Sequence, residues 1–301
     1  MTFEDKEHSM NSRISDPNRV VPRENIDFRL DSSIPRYWYD NDPYKTRLMD
    51  GMQLYFPDGE RYFITCVRHY REQISDPILS KHVKDFTRQE SQHGIAHTRF
   101  NHLLKEQGLP VDELLAMQKK RNTFWLKHFS PGFNLALTAA FEHFTALLAE
   151  GFFSRKAVMA GADPRIKALF AWHAIEEMEH KSVVFNVMTT VARVSYLKRC
   201  AAMIYATLDI SWETYRTTDI LLKADGFSWW QRKRLLLTHL GWMYGRNGVF
   251  GSFSAQILAY LKPGFHPDDI PVVHNYPQWI QAYERTGDPG QACDALVAAA
   301  H

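Results

Sequence analysis

The chain has 301 residues, 45% of them hydrophobic and 13% aromatic, so it can bury a large core and is neither disordered nor fibrous. Its 36 Lys and Arg nearly balance 34 Asp and Glu, which leaves no field of one sign and argues against a nucleic-acid partner. Three scattered cysteines, no apolar leader and no charge-free stretch long enough to span a bilayer point to a reducing compartment, and the expected location is cytoplasmic.

Residues 1–35 are polar, without sustained period, and read as a flexible or extended arm. After an aromatic link from Tyr37 to Tyr44, helical periodicity predicts helices over about 58–74, 77–107, 112–129, 132–160, 164–194, 196–223 and 228–261, with a short one near 276–286. Asp76-Pro77 and Asp163-Pro164 each place a capping Asp before Pro at the first helical position. No alternating strand pattern competes. Long helices joined by short loops predict an all-α bundle, with one all-helical domain over 36–288 and a tail over 289–301.

Histidine is the unusual residue, with 14 copies. On the second predicted helix Phe86, Glu90, His93, His97, Phe100 and Leu104 fall within an arc of roughly 80°, while Lys84, Arg88, Ser91 and Arg99 point the other way. The helix from Pro164 repeats the pattern with Ile166, Leu169, His173, Glu177, His180 and Val184. Two helices therefore carry Glu-x-x-His on the inward, apolar stripe, where ionised groups are rarely found without partners or a metal. Glu142, within LALTAAFEHFTALLAE, and Glu60, one turn before Ile64, supply a carboxylate from each of two further helices. This is the ligand order of dinuclear carboxylate sites in four-helix bundles.

Electrostatics leads to the same place. Four carboxylates in a low-dielectric core repel one another unless compensated, and two divalent ions would neutralise them. An oxygen and nitrogen donor set suits two iron ions, with manganese or a mixed iron–manganese pair as alternatives and zinc less suited. By position Glu90 and Glu177 would bridge the ions and carry the catalytic role, Glu60 and Glu142 would be terminal, and His93 and His180 would complete one ion each. His97 and His173 are read either as further ligands or as hydrogen-bonded core histidines. Glu60 has a rival role near a helix N-terminus. Glu176 and Glu179 point sideways as a solvated or supporting pair. Trp229-Trp230 with Arg232-Lys233-Arg234 reads as a packed helix start with a solvated basic turn, or as a peripheral membrane contact.

The segments Gln89-Glu90-x-x-His93-x-x-x-His97, Trp172-His173-x-x-Glu176-Glu177-x-Glu179-His180-Lys181, Phe56-Pro57-x-Gly59-Glu60 and Phe265-His266-Pro267 together resemble the bacterial family described as predicted metal-dependent hydrolases, over roughly residues 35–275. The ligand order is also similar to ferritin-like di-iron oxygenases, such as the ribonucleotide reductase small subunit and soluble methane monooxygenase. His173-x-x-x-Glu177-x-x-His180 looks like the extra-histidine version in arylamine N-oxygenases. These resemblances imply a ferritin-like core with additional C-terminal helices. They also imply an enzyme that is either an oxidase or oxygenase, using O2 and an electron donor on a small or lipid-like substrate, or a dinuclear hydrolase. A homodimer is a plausible assembly for long bundle helices.

Overall fold

The computed structural model describes residues 20–251 and 253–301, and helices dominate it. Four helices build the core: α2 (Phe56–Arg68), α3 (Pro77–Glu106), α5 (Pro131–Phe153) and α7 (Pro164–His180). They pack in a ring, α2 against α3 and α5, and α7 against the same two, which makes a four-helix bundle. Each start has a local cause. Asp76, Ser130 and Asp163 accept backbone N–H bonds at the starts of α3, α5 and α7, with Pro in the first turn.

Around this ring lie α1 (Pro43–Gln53), α4 (Val111–His128), the short α6 (Lys156–Met159), α9 (Tyr196–Ala224), α10 (Trp229–Tyr244) and α11 (Phe253–Tyr260). The chain closes with α12 (Tyr276–Thr286) and α13 (Pro289–Ala298). Among the described residues the β contact is a lone bridge between Tyr39 and Ala162. No helix of the described residues is long and apolar enough to cross a membrane.

Several expectations need correction. The helix expected over 164–194 stops at His180; after Lys181 and Ser182 it resumes as α8 (Val183–Asn186) and a π turn (Val187–Val191). The segment expected over 132–160 ends at Phe153, because Arg155 turns extended before α6. The helix expected over 228–261 is broken between Tyr244 and Phe253. There the backbone presses onto α5, so that a Cβ on Gly151 would lie 2.5 Å from the Val249 carbonyl oxygen. Residues 289–298, expected as a tail, form α13, which packs on α7 and buries Cys293 and Leu296.

The expected flexible arm divides in two. Residues 1–19 lie outside the described residues. Residues 20–35 form a strap across the bundle, extended for the most part, that buries Val20, Arg23, Phe28 and Ile34.

Candidate metal centre

The ring of four helices brings all eight expected residues to its axis. Glu60 comes from α2, Glu90, His93 and His97 from α3, Glu142 from α5, and His173, Glu177 and His180 from α7; all are buried. Two groups form within them, Glu60 with His93 and His173, and Glu90 with Glu177 and His180. In each group the donor atoms lie within 4.8 Å of one another, close enough to share one ion. Glu142 joins the second group through its carboxylate, 3.1 Å from His180 Nε2. Glu177 reaches both groups, with Oε1 2.8 Å from His173 Nε2 and Oε2 3.3 Å from His180 Nε2. Gly94 leaves room for the first group: a Cβ there would sit 3.2 Å from Glu60 Oε2.

Each histidine is turned by a partner behind it. His93 Nε2 donates to Glu176 Oε2 at 3.1 Å, which leaves Nδ1 facing Glu90 and Glu177. His180 Nδ1 donates to Gln89 Oε1 at 2.9 Å, since Gln89 Nε2 is itself donated to Glu179, and Nε2 is left facing three carboxylates. His173 Nδ1 donates to His97 Nε2 at 2.7 Å. His97 then donates from Nδ1 to Gln53 Oε1, and Gln53 donates onward to Asn101. Both nitrogens of His97 are thus engaged, and it belongs to neither group. Such partners fix the tautomer and orientation of a metal-facing imidazole.

The flanking glutamates are not solvated, contrary to one expectation. Glu176 and Glu179 are buried and clamped by Arg23 from the strap, whose Nη1 lies 3.1 Å from Glu176 and Nη2 2.7 Å from Glu179. The Arg23 backbone N–H also donates to Glu176, and Trp172 and Tyr276 donate to Glu176 and Glu179 respectively. One guanidinium therefore stands behind His93 through Glu176, and behind His180 through Glu179 and Gln89. Sequence reasoning missed Arg23, because it sits in a polar arm without periodicity.

Burial opposes charge throughout the site. Together with neighbouring carboxylates, it holds Glu60 and Glu90 well above the usual carboxylate range and pushes Glu142 up to about 7. Burial likewise drives His93 down to about 3 and His173 to about 4, so both are neutral. Burial also acts on Glu177 and His180, but their mutual attraction overrides it, holding Glu177 below the usual carboxylate range and raising His180, whose Nε2 proton a metal ion would displace.

The site also has unpartnered polar atoms. Both carboxylate oxygens of Glu60, Glu90 and Glu142, together with His93 Nδ1 and His180 Nε2, are buried without a hydrogen-bond partner. Buried polar atoms are rarely left so, and a metal ion is the partner that satisfies carboxylate oxygens and bare imidazole nitrogens together. The residues fit a pair of divalent ions in charge and in donor type.

A cavity of about 390 Å³ reaches this site, with Glu60, His173 and Glu177 on its wall. Phe56, Phe63, Phe141, Phe144 and Leu148 make much of the rest apolar. Glu90, Glu142 and His180 do not line it.

The fold and site define a class: an all-helical protein whose bundle core gathers Glu and His groups able to hold metal ions. Residues 22–270 match the family described as predicted metal-dependent hydrolase, and the chain belongs to that family. No curated protein and no solved structure matches the chain.

Proposed function

We propose that the protein is a ferritin-like dinuclear metalloenzyme, with two iron ions, that activates O2 to oxidise a small or lipid-like organic molecule. Manganese or a mixed pair would suit the same donors. Glu60, His93 and His173 would hold one ion, Glu90, Glu142 and His180 the other, with Glu177 between them and His97 orienting His173. When bound, the ions supply redox and Lewis-acid chemistry at positions left open to the cavity. An electron donor would supply the reducing equivalents.

The observation that carries this reading over hydrolysis is how the cavity's polar side chains are spent. Tyr62 donates to Asn134, Gln118 to the Tyr55 carbonyl and Asn122 to the Asp58 carbonyl. Thr145 is bonded to Glu177 itself. Hydrolysis needs donors aimed at a developing oxyanion and an acid for the leaving group; these four groups are committed elsewhere, and Arg121, Asp209 and Glu213 on the same wall are paired with one another. Oxidation of an apolar molecule suits an aromatic-walled chamber, and Phe56, Phe63, Phe141 and Phe144 line this one.

The test is to load the apoprotein anaerobically with Fe(II), count metal per chain, and follow O2 uptake. Two irons per chain with stoichiometric O2 consumption are expected. No O2 uptake, with ester or phosphoester turnover in the manganese or zinc form, would transfer the protein to the hydrolases.

A further inference from the structure

Twelve of the seventeen large hydrophobic side chains exposed among the described residues fall between Tyr196 and Leu258. On α9 they form a stripe: Leu197, Ile204, Leu208, Trp212 and Tyr215 are spaced by 7, 4, 4 and 3 residues, within an arc of roughly 80°. On α10 a second stripe holds Trp229, Trp230, Leu237, Leu240 and Tyr244. This overturns the expectation of a packed helix start, since Trp230 is 77% exposed and Trp229 52%. The stripes adjoin where Lys233, lying over the Trp229 ring, bonds to the Tyr215 hydroxyl. Isolated exposed apolar residues are ordinary, but two stripes side by side mark an interaction surface.

Charge in this segment is one-sided. Residues 192–267 contain ten Lys and Arg against four Asp and Glu, while the whole chain is nearly neutral. All four acids are ion-paired: Asp209 and Glu213 with Arg121, Asp219 with Arg232 and Lys233, and Asp225 with Arg36 and Arg47. From Gly226 to Pro267 no acidic residue occurs, and Arg234 and Arg246 are exposed. Aromatic and basic side chains together favour the headgroup region of a bilayer, and anionic lipid complements the excess. A second copy of the chain would instead set Arg234 and Arg246 against like charges.

The cavity opens on the same face. Of its lining residues, Ser211 and Tyr215 on α9, Tyr244 on α10 and Ser254 on α11 remain exposed, and they form its rim. We propose that the face made by α9, α10 and α11 docks on an anionic lipid bilayer, so that an apolar, membrane-resident molecule enters the cavity from the lipid and reaches the metal centre. The entry route rests on the proposed function; the docking does not.

The experiment is vesicle flotation of the metal-loaded full chain, on phosphatidylcholine alone and on a three-to-one mixture with phosphatidylglycerol. At least tenfold stronger binding to the mixed vesicles is expected, falling at least tenfold in 0.5 M salt. W230A with L237A should cut binding at least tenfold, and R234E with R246E should abolish the preference for anionic lipid. Both pairs should leave metal content and melting temperature unchanged. Equal or absent binding to the two vesicles overturns the proposal. So does a stable dimer in sedimentation that L208E dissociates, which assigns the face to a second copy. Binding that emerges only on removal of residues 1–19 also overturns it, by assigning the face to the chain's own N-terminus. Flotation is read without turnover, so the docking can fail while O2 uptake stands, or the reverse.

Discussion

The two halves of the metal centre are built from the same residue types but differ in what lies behind and before them. Glu90, Glu142 and His180 are sealed, with His180 held through Gln89 and Glu179 to Arg23, and no member touches the cavity. Glu60 and His173 stand on the cavity wall, and His173 is held by the neutral chain through His97 and Gln53. Arg23 stands behind both halves, through Glu179 and Gln89 on one side and through Glu176 and His93 on the other, so the difference lies in His173, which the neutral relay holds on the cavity wall; an ion bound by the first half would be sealed and one bound by the second accessible.

The largest effect is expected where the halves meet. Glu177→Ala should abolish binding of both ions, and Glu90→Ala should remove at least the sealed one; two metals per chain retained in both variants would show that the centre is assigned wrongly. Arg23→Met comes next. It leaves Glu176 and Glu179 buried without their cation, at a cost of about 3–5 kcal/mol. Chemical denaturation of the apo and loaded forms should show the loss in each.

Exchange kinetics then test the asymmetry directly. In a chelator, the ion held by Glu60 and His173 should leave first, in a biphasic release; a single phase for both ions would erase the distinction between the halves. His97→Phe removes the support of His173 and should weaken the accessible ion by about 10–100-fold while leaving the sealed one in place, as read by competition titration.

The smallest effect is on pH. Glu142 is held at about 7, Glu60 and Glu90 are raised well above the usual carboxylate range, and His180 is raised as well, so the site takes up protons as pH falls and must lose them to bind metal. His93 and His173, at about 3 and 4, are already neutral and do not contribute in this window. Affinity should therefore rise as pH increases through about 7, with protons released on binding; a flat profile between pH 6 and 8 would contradict the charge state derived for the carboxylates.

Much of the centre was legible because Glu and His on an otherwise apolar stripe break the pattern that surrounds them. The ring of long helices followed from the same periodicity. Helix α1 was missed although Asp42-Pro43 is the capping signal used for α3 and α7, because α1 buries the polar set Arg47, Asp50 and Gln53 rather than an apolar stripe. Asp288-Pro289 announces α13 in the same way. The break after His180 had no proline or glycine to signal it. Arg23 was invisible for a different reason: its partners lie more than 150 residues away, and no local pattern encodes such a pairing.

That separation bears on the order of assembly. Arg23 precedes its partners by more than 150 residues and cannot dock until α7 has been made. Contacts of such long range form late in folding, after local helix pairs have condensed. The strap is therefore expected to close late, and delayed addition of metal during refolding should give slower loading than metal present from the start; equal rates would show that the strap does not close over the site. By this logic a segment that looks like an appendage would act as a latch on the site.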